Sequence, residues 1–249
     1  MMKHEITRMR RDVVRRTLRV ASKQYITPRM LRIVLHSDEL QSFDSPSPDD
    51  HIKIVLPANG DGKPVMRDFT PRAWDTEAGT LTLEFALHQN GPAVEWARKA
   101  EVGNALEIAG PRGSTIVPDD FDWYLLVGDA TALPSIGRRL ESLRRGVPVR
   151  VFALVANDGE QQKLSGSAAC QIEWLHSSGN LHQDASALRT AVERFHLPAG
   201  DGFVWIAAEV SIARQLYSYV VETLHYPKQW VKAAGYWSQG HADAGARIA

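Results

Sequence analysis

Arg67-Asp68-Phe69-Thr70-Pro71-Arg72 is the stretch whose residue types could do chemistry. It follows an alternating apolar run, His51-Ile52-Lys53-Ile54-Val55-Leu56. An arginine, a flat ring and a hydroxyl along an extended chain are expected on one face. There the guanidinium can take a phosphate, the ring can lie on a flat heterocycle, and the hydroxyl can hydrogen-bond a ring nitrogen. Together these groups could hold a flavin dinucleotide. By itself the stretch reads equally as a half-buried strand with two surface arginines. Two further segments offer backbone N–H groups to an anion. His88-Gln89-Asn90-Gly91-Pro92-Ala93 leads into a short helix, and Gly128-Asp129-Ala130-Thr131-Ala132-Leu133-Pro134 follows an apolar strand. Helix N-termini favour phosphates, yet turns of this kind occur in many α/β proteins. Glu209 also ends a strand before a helix, where an acidic residue is often only a cap. Ala109-Gly110-Pro111-Arg112-Gly113-Ser114 is a tight turn that could be no more than that.

The elements that position these residues fall into two grammars. The first half reads as β, with alternating runs at 17–23, 30–35, 51–56, 65–70, 80–87 and 105–109 and one helix over 92–98. Six short strands separated by turn signals predict a closed antiparallel barrel. After Pro118-Asp119-Asp120 apolar strands alternate with helices: 123–129, 149–155, 170–175 and 203–209, with helices at 133–143, 184–195 and 211–224. That alternation predicts a parallel sheet. The expected organisation is a barrel over 1–118, an α/β domain over 119–241, and a flexible polar tail over 242–249. Ligands bind at the carboxyl ends of the strands in such open sheets.

Composition narrows the function classes. The chain has 249 residues, and its 29 Lys+Arg balance 29 Asp+Glu, so no overall field draws it to nucleic acid or an acidic membrane. Any basic site must be a local cluster. The single cysteine, Cys170, excludes an internal disulfide and a cysteine-ligated iron–sulfur cluster, and a lone cysteine is more often a packing residue than a nucleophile. No run approaches the roughly 18 apolar residues that span a bilayer. The basic start, Met1 to Arg11, has no apolar signal core behind it, so it reads as a solvated lead-in of a cytoplasmic protein. The nine histidines form no ligand pair, and no dedicated metal site is expected. Nothing demands more than a monomer.

In order along the chain, Arg67–Arg72, His88–Trp96, Gly110–Ser114, Gly128–Pro134 and Ala233-Ala234-Gly235-Tyr236-Trp237 resemble the ferredoxin-reductase-like flavoproteins. Within them, the chain resembles the siderophore-interacting proteins, FAD-dependent ferric-siderophore reductases, over about residues 14–240. The resemblance implies a set of roles. Arg67 neutralises the FAD diphosphate, with Asp68 beside it and Arg72 close to the diphosphate or adenosine half. Phe69 packs on the flavin, and Thr70 bonds near its N5 edge, where the chemistry occurs. His88, Gly91, Ala93, Val94 and Trp96 hold the diphosphate region, and Gly113, Ser114, Tyr236 and Trp237 complete the cofactor site. Pro92 has no N–H to give. Gly128, Asp129, Thr131, Ala132 and Glu209 line the NADPH or NADH site. Lys53, Arg112 and Lys232 supply positive charge to an anionic ferric siderophore.

The implied chemistry follows from electron counting: a nicotinamide gives a hydride, iron(III) takes one electron, and flavin converts between them. Two departures from the family pattern stand out. Phe69 replaces a tyrosine, losing a hydrogen bond worth about 1 kcal/mol, and Ser238-Gln239-Gly240 replaces an arginine-containing end. Arg138, Arg139 and Lys163 are candidate partners for a 2′-phosphate, reduced ferredoxin is an alternative donor, and the siderophore is unspecified. A general flavin or ferredoxin reductase and a non-redox siderophore carrier of the same fold are the competing readings.

Overall fold

A computed structural model of the chain describes residues 3–59, 63–88, 91–240 and 246–248. It forms two compact units that divide between Pro118 and Asp119. The first holds β1 (Thr7–Arg10), β2 (Arg15–Thr27), β3 (Met30–His36), β4 (Ile52–Asn59), β5 (Lys63–Phe69), β6 (Ala73–Asp75), β7 (Thr80–Ala86), α1 (Pro92–Lys99), β8 (Ala105–Ala109) and β9 (Gly113–Ile116). Seven strands make one antiparallel sheet in the order β5-β4-β8-β2-β3-β7-β6. Alternation sends Leu18 and Val20, Leu31, Ile33 and Leu35, Ile52 and Ile54, and Leu81, Leu83 and Phe85 into a single core.

The two edge strands of this sheet are consecutive in the chain. Only Thr70, Pro71 and Arg72 lie between Phe69 of β5 and Ala73 of β6. A flat seven-stranded sheet would be roughly 29 Å wide, whereas this link can span at most about 14 Å. The sheet must therefore curl, and its seam is a covalent link. No β5–β6 ladder occurs among the described residues. The Arg67–Arg72 motif thus straddles the seam.

The second unit holds β10 (Trp123–Asp129), α2 (Leu133–Ser142), β11 (Pro148–Val155), β12 (Ala169–His176), α3 (Leu181–Phe195), β13 (Gly202–Glu209), α4 (Val210–Ser218), β14 (Val231–Trp237) and β15 (Ala246–Arg247). The sheet order is β12-β11-β10-β13-β14-β15. The first five strands are parallel. β10 and β13 are buried along their whole lengths, as central strands covered on both faces must be. Leu125, Val127, Val204 and Ile206 pack there against Leu188, Ile212 and Leu216 of the helices. Among the described residues no helix is long and apolar enough to cross a membrane.

Two local expectations are corrected. The basic N-terminal stretch is exposed along Thr7–Arg10, but it is not a loose lead-in: Thr7–Arg10 pairs antiparallel with Ile116–Gly113. Within the tail, Ala246 and Arg247 pair with Gly235 and Ala234, and Ile248 packs on the second core. Residues 241–245 and 249 lie outside the described ones.

Tyr226 locks the start of β13. Its hydroxyl donates to the Gly202 carbonyl at 2.8 Å and accepts from the Gly202 N–H at 2.9 Å. Gly202 itself has no room for a Cβ, which would lie 2.2 Å from the Trp123 ring. Burial, first, and the charge of Asp201 push the Tyr226 phenol up to about 12, against a smaller opposing effect of the Gly202 bond. The folded state therefore prefers the protonated phenol. That stability is complete below the unfolded value of about 10 and is lost as pH rises through about 12. Tyr226→Phe is expected to cost about 1–2 kcal/mol at neutral pH and to flatten this part of the alkaline loss. Urea melts of both proteins at about pH 8 and about pH 11 test it; parallel losses at both values would refute the lock.

Candidate cofactor and substrate sites

The register of β4 and β5 sorts the motif residues by face. Arg67 lies opposite Ile54 and Phe69 opposite Ile52, whereas Asp68 lies opposite Lys53. Arg67 and Phe69 thus share the core side of the strand, and Lys53 and Asp68 share the other, joined by a 2.9 Å ion pair. Thr70 does not share the Arg67–Phe69 face by alternation. β5 ends at Phe69, and Thr70 belongs to the seam link, where it is buried. Phe69 is half-buried, with its ring centroid 4.4 Å from that of Phe85. The Arg67 guanidinium donates to the Met66 carbonyl at 2.7 Å.

Arg72 has a protein partner of its own. The Glu84 carboxylate, 1% exposed, receives Arg32 Nε at 2.9 Å and lies 3.8 Å from Arg72 Nε. A buried carboxylate requires such cations, so Arg72 is shared between the seam and any ligand.

The start of α1 leaves backbone N–H groups open. Gly91 caps it without a side chain, Pro92 occupies the first turn, and no cap side chain among the described residues accepts the first N–H groups. Glu95 N–H already bonds the Gly91 carbonyl. Ala93 and Val94 are left as the donors. His88 is exposed and contacts the Ala86 carbonyl through Nδ1 at 3.0 Å. Gln89 and Asn90 lie outside the described residues. Trp96 packs at 5.8 Å on Phe85, in support of the core. An uncapped helix start, an arginine and a half-buried ring in one unit fit the diphosphate and flat ring of FAD.

The Gly110–Ser114 turn is held by partners within its own unit. Gly110 adopts φ +107°, a conformation glycine tolerates. A Cβ on Gly113 would sit 2.4 Å from the Met9 carbonyl, so glycine here admits β1. Ser114 is buried and donates to Asp50 Oδ2 at 2.7 Å. Asp50, 3% exposed, also receives the Ser47 N–H at 3.0 Å and the Ser45 hydroxyl at 3.3 Å. Arg16 reaches the turn at the Gly110 carbonyl, 3.5 Å away, and ties it to the 38–42 segment through the Glu39 carbonyl at 2.9 Å and Ser42 at 3.1 Å; burial pushes its guanidinium down. Gly113 and Ser114 therefore seat the N-terminal strand. Arg112 is exposed, and Lys53 pairs with Ala109 just before the turn.

In the second unit the chain runs from β10 outward to β12 and then returns to β13 on the other side of β10. The carboxyl ends of β10 and β13 form the switch point where open α/β sheets bind ligands. Asp129 and Glu209 stand there. Asp129 Oδ1 accepts the Thr131 N–H at 2.9 Å and hydroxyl at 2.6 Å, and Oδ2 accepts the Glu209 N–H at 2.9 Å and Trp237 Nε1 at 2.8 Å. Glu209 caps α4 through the Ser211 N–H at 2.6 Å and Ile212 N–H at 3.3 Å. Both carboxylates organise the crevice rather than point freely into it. A Cβ on Gly128 would meet Ala132 Cβ at 2.5 Å and the Ala207 carbonyl at 2.8 Å, so the glycine permits close helix–sheet approach. Ala132 is buried and Thr131 half-buried. Tyr236 reaches Ser135 at 3.0 Å, within this unit. Lys232 is half-buried on β14 opposite Trp205. Arg138 and Arg139 are buried, not helix-surface bases. Burial pushes the Cys170 thiol up, against nucleophilic use.

The siderophore-interacting FAD-binding domain model matches residues 19–63 and 58–115, and the siderophore-interacting protein model matches 121–240. The chain belongs to the siderophore-interacting protein family. An NADPH-dependent ferric-chelate reductase of Escherichia coli K12 is 34% identical over 250 residues, covering 92% of this chain and 95% of that one. A siderophore utilization protein from T. fusca is similar with TM-score 0.89 and 31% identity, covering 98% of this chain and all of that one. A ferredoxin reductase of carbazole 1,9a-dioxygenase, 14% identical with TM-score 0.64 over 91% of this chain and 66% of that one, shares the fold. The ferredoxin-reductase-like expectation is thereby met, and the siderophore-interacting FAD domain occupies the unit that carries the Arg67–Phe69 face. Sequence reasoning missed Asp50 and Glu84 as organisers of that unit. The Ser/Pro/Asp run at 44–50 carries only a loop signal.

Proposed function

We infer that this siderophore-interacting protein is a cytoplasmic ferric-siderophore reductase that uses FAD to pass electrons from NADPH to an iron(III) chelate. The observation that carries the reading is Arg112, an exposed guanidinium without an ion-pair partner among the described residues, on the turn that leaves β8 where Lys53 pairs with it. An anionic oxygen chelate is what such a base would take. Arg67 and the Ala93 and Val94 N–H groups would hold the FAD diphosphate, and Phe69 would pack on its ring. Bound FAD would supply the conversion of a hydride into single electrons. Asp129 and Glu209 shape the crevice in which Thr131 and the backbone after Gly128 would orient the nicotinamide nucleotide. Lys53 and Arg112, both of the first unit, would attract and orient the chelate. Oxygen chelators hold iron(II) far less tightly than iron(III), so reduction releases the metal.

Anaerobic absorbance titration of FAD-loaded protein with NADPH, then a ferric catecholate, tests the reading. The expected result is flavin bleaching, then reoxidation with iron(II) release. A yellow protein that NADPH and NADH leave unbleached would replace the nicotinamide donor with ferredoxin. A protein that never takes flavin would leave a non-redox carrier. Lys53→Ala and Arg112→Ala should each raise KM for the ferric chelate about three- to tenfold with FAD retained. Unchanged KM in both would favour a general flavin reductase.

A further inference from the structure

The N-terminal strand forms one wall of an open cavity. β1 runs along β9 with Arg10 opposite Gly113, and the Arg11 N–H bonds the Arg112 carbonyl at 2.9 Å. The strand thereby completes a cavity of about 580 Å³ lined by Arg10, Arg11, Asp12 and Arg112. That volume suits a small ligand, and its lining sets three guanidiniums against one carboxylate. Arg11 is turned toward Asp44, with which it forms an ion pair, and its buried Nε has no hydrogen-bond partner among the described residues. Arg10 and Arg112 are exposed and have no ion-pair partner among the described residues. Two unneutralised guanidiniums on either side of one backbone hydrogen bond, in one cavity, are arranged for a multiply charged oxyanion.

We propose that Arg10 is a substrate-binding residue, and that the N-terminal strand completes the iron-chelate site by placing Arg10 beside Arg112 and selecting for negative charge on the chelate. The proposal rests on the reductase reading for its ligand. Asp12, in the same lining, opposes that selection. Arg8 lies two residues earlier on the same strand, opposite Thr115 and outside the cavity lining. It provides a control with the same change of net charge.

Binding is read first without electron transfer. Calorimetry on the FAD-loaded protein would use gallium(III) tris-catecholate, a trianionic complex with the charge and shape of the ferric one, and a neutral gallium(III) tris-hydroxamate. Arg10→Gln is expected to weaken the catecholate complex about fivefold and the hydroxamate complex much less. Asp12→Asn is expected to strengthen the catecholate complex, and Arg8→Gln to leave it as in the wild type. In turnover, Arg10→Gln should raise KM for the ferric catecholate without a matching fall in kcat. Equal effects of Arg10→Gln and Arg8→Gln, or none, would overturn the proposal. So would a wild-type protein that binds neither gallium complex, or an Arg10→Gln protein that loses FAD while binding the catecholate normally, which would assign the cavity to the cofactor. A wild type that binds the catecholate but never reduces the ferric complex would refute the reductase reading while the binding comparison still decides the role of Arg10.

Discussion

Asp129→Ala is expected to lower the melting temperature by roughly 10 °C or more and to abolish flavin reduction by NADPH. One carboxylate, 7% exposed, accepts four hydrogen bonds that tie the ends of β10, β13 and β14 together. Alanine leaves the Glu209 N–H and the Trp237 indole N–H without their acceptor. Buried donors stripped of a charged acceptor cost far more than an average hydrogen bond, and the sum here is about 3–5 kcal/mol. Asp129→Asn separates charge from shape. Its amide keeps one oxygen but presents N–H groups to donors, so about half of the loss should remain. Differential scanning calorimetry and anaerobic NADPH titration of both variants check the result. An Asp129→Ala protein that melts like the wild type would show that the three strand ends do not depend on this carboxylate.

Arg67→Ala has the second largest expected effect, and it falls on the cofactor rather than the fold. Arg67 is half-buried on the face it shares with Phe69, and it donates to the carbonyl of its chain neighbour Met66. A guanidinium–phosphate contact is charge-assisted and worth about 1.5–3 kcal/mol. The FAD dissociation constant should therefore rise roughly ten- to a hundredfold, with the melt of the apoprotein little changed. Arg67→Lys should fall between, because an ammonium cannot make the paired contact. Reconstitution of apoprotein followed by flavin fluorescence gives the constants. Wild-type FAD affinity in Arg67→Ala would remove Arg67 from the diphosphate site.

Much of this architecture was legible because it is local. The alternating runs in the first half and the solid apolar runs of β10 and β13 report burial on one face or two. The Gly-Asp turn after β10 announces a tight strand-to-helix passage. What stayed hidden depends on partners far away in the chain. Asp129 reads as one residue of an ordinary strand-to-helix turn, and its meaning comes from Glu209 and Trp237, 80 and 108 positions away. Ser114 resembled a ligand-binding turn residue, but its acceptor, Asp50, is 64 positions earlier. β1 carries no apolar alternation, because its partner is the polar turn strand β9 and no core face disciplines its sequence. The Arg67–Arg72 motif showed which residue types gather, whereas the end of β5 at Phe69 decides which of them share a face.

The covalent seam of the first sheet has a consequence for how long the protein survives. A barrel zipped by a ladder must break several hydrogen bonds before an edge comes loose. Here β5 and β6 are joined by three residues, with no ladder among the described residues, so local opening meets less resistance there. The same residues face the bound flavin in the proposed site. A ligand present at a hundred times its dissociation constant adds about 2.7 kcal/mol to whatever it holds closed. Flavin supply would then set not only how many copies are active but how many escape proteolysis, and amide exchange along β5 and β6 would record the difference between filled and empty chains.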